Sequence, residues 1–138
     1  MELVLNSYKD LTLRSLAKKY LLILFDQIKG KKFSLEENVE WNSRRGKKKI
    51  RYDFIIKDYI TKDIIGVQLK DWRRPIGVNV VMRFEKQIEE CGLSVGILIG
   101  NEFSEQALAR ERRNVILLSR GEIISLITDF GVSRNEFD

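Results

Sequence analysis

Two short runs without a polar side chain, Val95 to Ile99 and Val115 to Leu118, constrain the architecture of this chain more than any other feature. A strand that is apolar on both faces must be covered on both, which is the situation of parallel strands inside an α/β sheet. Between them, Ser104 has the chemistry of a helix N-cap, and the segment it opens carries Ala107 and Leu108 among charged neighbours up to Arg113. Strand, helix, strand is a crossover, so the two runs are expected parallel in one sheet. Ahead of them, Val80, Val81, Phe84 and Ile88 recur at helical spacing and stop at Gly92, a natural helix terminator. Behind them, Glu122 to Phe130 reads as a closing helix.

The first half of the chain has a different pattern. From Lys9 to Lys29 the residues Leu13, Leu16, Ala17, Tyr20, Leu21, Leu24 and Ile28 fall at helical spacing, and Gly30 supplies the stop. Phe33, Leu35, Val39 and Trp41 lie in a strand segment that runs into Asn42-Ser43-Arg44-Arg45-Gly46-Lys47-Lys48-Lys49, a polar and basic turn. Ile50 to Lys57 and Ile64 to Trp72 are β-rich runs separated by six residues, which predicts an antiparallel hairpin. The fold class is therefore α/β: a mixed sheet with an antiparallel hairpin start, then βαβ crossovers, with helices on both faces. At 138 residues the chain is expected to form a single domain over 1–138.

Composition removes several function classes. The longest apolar run, Tyr20 to Phe25, is far short of the roughly 20 residues a bilayer needs, and the N-terminus has no signal-peptide pattern, so a cytoplasmic location is expected. There is no histidine and one cysteine, Cys91, which excludes an internal disulfide, a zinc site and a His-based catalytic triad. Any metal must be a hard, oxygen-bound ion. A net charge of +5 favours a polyanionic partner.

Strict alternation puts Ile50, Tyr52, Phe54 and Ile56 on one face of their strand and Asp53 on the other, with Arg51 and Lys57. In the next strand Gln68 and Lys70 lie opposite Ile65, Val67 and Leu69. A turn centred between Ile60 and Thr61 sets Asp53 directly across from Gln68, with Lys70 two residues further along the same face. Phosphodiester hydrolysis needs such a set: a carboxylate and a second oxygen ligand for a divalent metal, and an ammonium to stabilise charge in the transition state. Singly, the same residues are also ordinary ones: an exposed Asp, a Gln on a sheet face and a Lys on an edge.

The segments Tyr52-Asp53-Phe54-Ile55 and Gly66-Val67-Gln68-Leu69-Lys70-Asp71-Trp72 resemble the Asp and Glu/Gln-x-Lys motifs of the PD-(D/E)XK nuclease superfamily. The Gln form is similar to Mrr-type restriction endonucleases. The likeness continues through the helix ending at Gly92, the strand Ser94 to Gly100 and the stretch Phe103-Ser104-Glu105-Gln106-Ala107, covering roughly residues 50 to 127. It also resembles archaeal Holliday-junction resolvases, in which a Ser- and Arg-containing basic segment precedes the Asp as Ser43-Arg44-Arg45 does here. The resemblance implies a three-layer restriction-endonuclease-like core and a metal-dependent DNA endonuclease, including the structure-specific kind. It implies Asp53 and Gln68 as ligands of Mg²⁺ or Mn²⁺, the Leu69 carbonyl completing the shell, and Lys70 as the catalytic lysine. One departure is the absence of an acid between Leu13 and Phe25, where family members often carry a Glu; Glu2, Asp10, Asp26, Glu36, Glu37 and Glu40 are imperfect substitutes.

Two basic groups, Arg44, Arg45, Lys47, Lys48 and Lys49 with Ser43 on one side and Arg73 with Arg74 on the other, are expected near the same end of the sheet, gripping phosphates of DNA. Trp41 and Trp72 read as core, and Arg110, Arg112 and Arg113 as an exposed helix face. Without a target-recognition domain, a homodimer is expected for cutting both strands. Two alternatives stay open: a DNA-binding or assembly protein that retains the nuclease fold without turnover, and an interaction domain that binds no nucleic acid.

Overall fold

The computed structural model describes residue 8, residues 10–29 and residues 32–137, and of residues 27–29 and 130–137 the backbone alone. Expectations placed on Glu2, Lys9, Gly30 and the side chain of Ile28 lie outside the described residues. The elements are α1 (Leu13–Lys29), β1 (Phe33–Asn42), β2 (Lys49–Asp58), β3 (Ile64–Lys70), α2 (Val78–Glu90), β4 (Val95–Gly100), α3 (Glu105–Ala109), β5 (Val115–Ser119) and α4 (Arg120–Phe137). Their order is the one the periodicities predicted. The five strands lie in the order β1-β2-β3-β4-β5, antiparallel from β1 to β3 and parallel from β3 to β5.

Two apolar clusters make this a three-layer molecule. On one face Leu13, Leu16, Ala17 and Leu21 of α1 and Ile123, Ile124 and Ile127 of α4 cover Phe54, Ile56, Val67, Ile97 and Ile99. On the other, Val81, Phe84 and Ile88 of α2 and Ala107 of α3 cover Ile55, Leu98, Val115 and Leu117. Each fully buried leucine or isoleucine contributes roughly 1.5–3 kcal/mol to holding these layers together. The close approach of α2 depends on Gly96, where a Cβ would stand 2.5 Å from Ile88 Cγ1 and 2.7 Å from Phe84 Cε2. Among the described residues no helix is long and apolar enough to cross a membrane.

Some boundaries differ from expectation. β3 stops at Lys70 rather than Trp72, because Asn101 turns the chain aside by donating to Asp71 Oδ1 at 2.8 Å and to the Trp72 carbonyl at 2.9 Å. Ser104 caps α3 as predicted, accepting from the Ala107 N–H at 3.1 Å, but the helix ends at Ala109 because Arg112 and Val115 pair across a tight turn into β5. α4 begins at Arg120, two residues before Glu122.

The strict alternation expected of β2 fails in a way that shapes the site. The β1–β2 pairing runs from Phe33↔Asp58 to Glu37↔Phe54 and resumes at Val39↔Tyr52, passing over Asn38 and Asp53. Asn38 has a left-handed backbone, φ 53°. Asn tolerates that region better than most side chains, and one such residue turns the pleat over. Phe33, Leu35, Phe54 and Ile56 accordingly face the α1 cluster, while Val39, Trp41, Ile50 and Tyr52 face the α2 cluster. Ile50, Tyr52, Phe54 and Ile56 do not share a face.

The outer half of the β1–β2 hairpin therefore folds over the end of α2 and docks there. Gly92, at φ 67°, ends the helix as expected, and a Cβ on it would meet Arg44 Nε at 2.8 Å. The helix's last carbonyls, which lack intrahelical donors, are satisfied by the hairpin: Arg44 N–H donates to the Glu90 carbonyl at 2.8 Å and Trp41 Nε1 to that of Cys91 at 3.2 Å.

Candidate functional site

The β2–β3 ladder ends at Phe54↔Val67. One more step would pair Asp53 with Gln68, the register that a turn centred between Ile60 and Thr61 predicts. Main-chain bonds give way there to side chains. The Leu69 N–H donates to Asp53 Oδ2 at 2.7 Å, and Gln68 Nε2 donates to the Arg51 carbonyl and to Gln87 Oε1, both at 3.1 Å. The Arg51 carbonyl can only accept, so this contact sets the orientation of the Gln68 amide. Both amide hydrogens are then used, and Gln68 Oε1 makes no hydrogen bond among the described residues.

Asp53, Gln68, Leu69 and Lys70 line one open recess of about 370 Å³, together with Lys49, Ile50, Arg51 and Gln87. Lys70 forms no ion pair among the described residues. Its ammonium lies 5.7 Å from the centre of the Trp72 ring, and the Arg74 guanidinium lies 4.9 Å from the same ring. Trp72 is partly buried against the α2 cluster, so it serves as a pedestal for two cations rather than as a free stacking surface.

Three partners in this site were not predicted. Arg14 of α1 donates to Asp53 Oδ1 in a short ion pair, and its guanidinium lies 5.1 Å from the Phe54 ring centre. Asn38 Oδ1 accepts from Arg14 Nη2 at 3.2 Å and from Arg51 Nη2 at 2.6 Å, and Arg51 stands 3.7 Å from Asp53 Oδ1. Gln87 holds Gln68. The one available signal for Arg14 is its place beside the apolar stripe of α1, a turn before Lys18, which pairs with Glu37 at 2.9 Å. Nothing local marks Asn38 or Gln87.

The first helix thus presents a cation, not an acid, to Asp53, and among the described residues no three acidic, His or Cys side chains gather as a metal cluster. The donors present are one carboxylate, one free amide oxygen and the carbonyl of Leu69. This all-oxygen set fits a hard divalent cation with a low protein charge count. Burial raises the pKa of the Cys91 thiol, and burial first, then Cys91 itself, raises that of the Tyr52 phenol. Both stay protonated near neutral pH and offer no nucleophile or base.

Ser43, Arg44, Arg45, Lys47 and Lys48 line a second recess of about 580 Å³ with Lys86, Glu89 and Glu90, and Lys49 belongs to the Asp53 recess. The turn sits at the C-terminal end of α2, whereas Arg73 and Arg74 precede its N-terminal end, about 20 Å away at 1.5 Å per residue. The two basic groups are thus not side by side. The face flip at Asn38 and Asp53 carries the turn across the helix.

Residues 23–127 match the Mrr-type catalytic domain, described as a restriction endonuclease. The fold is similar to the crystal structure of a protein of unknown function, AF1548, at 12% identity and TM-score 0.56 over 79% of this chain and 66% of that one. A repair endonuclease from Pyrococcus abyssi aligns at 20% identity and TM-score 0.44 over 74% of this chain and 46% of its own. The DNA modification-dependent restriction endonuclease AspBHI aligns at 15% identity and TM-score 0.47 over 94% of this chain and 34% of its own. The chain thus spans between 34% and 66% of the solved chains it resembles. No curated protein matches it by sequence.

Proposed function

The chain belongs to the Mrr-type restriction endonuclease family, and from that premise we propose that it is a metal-dependent DNA endonuclease acting through Asp53, Gln68 and Lys70. The observation that carries this reading is the meeting of a carboxylate, a free amide oxygen and an unpaired ammonium around one recess, where β2 parts from β3. Asp53, Gln68 Oε1 and the Leu69 carbonyl would hold Mg²⁺ or Mn²⁺. When bound, the cation polarises the scissile phosphate and acidifies a water.

The chain's own groups divide the remaining work. The Leu69 N–H and Arg14 hold the Asp53 carboxylate in place, and Gln87 with the Arg51 carbonyl holds Gln68. Lys70, raised on Trp72, stabilises the negative charge that builds on the phosphate oxygens. The basic turn at Ser43 to Lys49 and the pair Arg73 and Arg74 grip the DNA backbone at the two ends of α2. Among the described residues one such recess is found per chain, so a homodimer would bring two of them to a duplex and cut both strands in one encounter.

A second reading has its own support: Arg14 sits on the single carboxylate, which suits a DNA-binding protein without turnover. Incubating the chain with branched, duplex and single-stranded DNA, with Mg²⁺ or Mn²⁺ and then with chelator, separates the two. The expected outcome is metal-dependent cleavage that Asp53→Asn abolishes, with a preference among the three substrates reporting structure specificity. If the wild type cuts none of them and binds no metal even beside DNA, the second reading replaces the first.

A further inference from the structure

The recess at Asp53 is one end of a longer feature. It shares Lys49, Ile50 and Gln87 with a neighbouring hollow of about 720 Å³ on the exposed side of α2, which adds Met82, Arg83 and Lys86. That hollow in turn shares Lys48, Lys86 and Glu90 with the recess under the β1–β2 turn. The three form one trough, walled by the outer half of the hairpin on one side and by α2 on the other.

Charge in the trough is strongly one-sided. Nine cations line it against three carboxylates, and of those three Asp53 is already paired with Arg14. Arg83 has no ion pair among the described residues, and Lys86 has only an exposed contact with Glu90 at 4.0 Å. The opposite flank of α2 is balanced: Glu85 takes Arg110 at 2.6 Å and Arg112 at 3.2 Å, so those arginines are engaged within the molecule. Uncompensated like charges facing one another across a trough oppose compact packing, and a bound polyanion relieves that repulsion. The trough is elongated and open. From Met82 to Glu90 it follows about 12 Å of helix, long enough for a short run of phosphates of one DNA strand. Met82, exposed on this side, gives an apolar ledge between the cations.

We propose that one DNA strand leaves the Asp53 recess along α2 towards the β1–β2 turn, with Arg83 and Lys86 holding its phosphates. This rests on the nuclease reading for its ligand and adds a path and two residues to it.

The test is DNA affinity over a series of salt concentrations for the wild type, the double variant Arg83→Gln/Lys86→Gln, and a control of equal charge, Lys62→Gln/Arg113→Gln, whose exposed side chains lie outside the trough. The expected result is a fall in the log–log salt slope of about 1.8 on duplex DNA, or about 1.4 on single strands, in the trough variant alone. An unchanged slope in that variant, beside a wild type that binds and cleaves, overturns the path and leaves the nuclease reading standing. A slope that falls equally in the control overturns it as well. A wild type that binds no DNA removes both.

Discussion

Asp53 is held by more groups than a lone metal ligand would be. Arg14 occupies Oδ1, Arg51 stands 3.7 Å from the same oxygen, and the Leu69 N–H takes Oδ2. A cation at this distance competes with any divalent ion for the carboxylate and repels it. Replacing Arg14 with Gln is therefore expected to raise Mg²⁺ or Mn²⁺ affinity by about tenfold, because it removes one positive charge that competes for the carboxylate. Calorimetric metal titration of wild type and variant measures this, and unchanged affinity would leave Arg14 a purely structural role. That Asp53, Gln68 and Lys70 gather at one recess was legible in the sequence, because residue type and strand spacing mark them. Arg14, Asn38 and Gln87 were not, because each reaches the site from 13 to 39 residues away and has an ordinary local context.

At the level of elements, the turning over of β1 and β2 at one step brings Asp53 to the parting of β2 from β3 and sends the basic turn over α2. Asn38 holds that step by two means, its left-handed backbone and its Oδ1 bonds to Arg14 and Arg51. The two separate by mutation. Asn38→Ala, which removes both, is expected to cost about 1–2 kcal/mol in urea unfolding. Asn38→Gly keeps the backbone and is expected to recover most of that loss while still weakening the positioning of Asp53, seen as lower cleavage at near-native stability. Equal stability of the two variants would show that the backbone turn is not the controlling feature. Periodicity predicted every strand here, yet a two-residue alternation contains no sign of a face flip. Asn38 keeps Leu35 and Val39 in the same parity, so the pattern looks unbroken while the faces exchange.

Across the whole molecule, the net charge of +5 conceals how the charges are placed. Arg14, Lys18, Arg51, Lys57, Arg110 and Arg112 all sit against carboxylates, whereas Arg45, Lys47, Lys48 and Lys49 of the turn have no ion pair among the described residues. Element order and layer assignment followed from apolar patterning, because burying both faces of β4 and β5 left few alternatives. Charge pairing did not, because it depends on which distant segments the folded chain brings together. Only cations free of internal partners hold phosphates without first breaking a bond of their own. Neutralising Arg44, Arg45, Lys47, Lys48 and Lys49 together is thus expected to weaken binding evenly across DNA sequences and to lower the salt slope by up to about 4.5, at 0.9 per duplex phosphate contact. Neutralising Arg110 and Arg112 is expected to leave the slope in place and to lower stability instead, since it strands the mostly buried Glu85. A turn variant with the wild-type slope would make these five residues a solvated surface and place DNA elsewhere on the molecule.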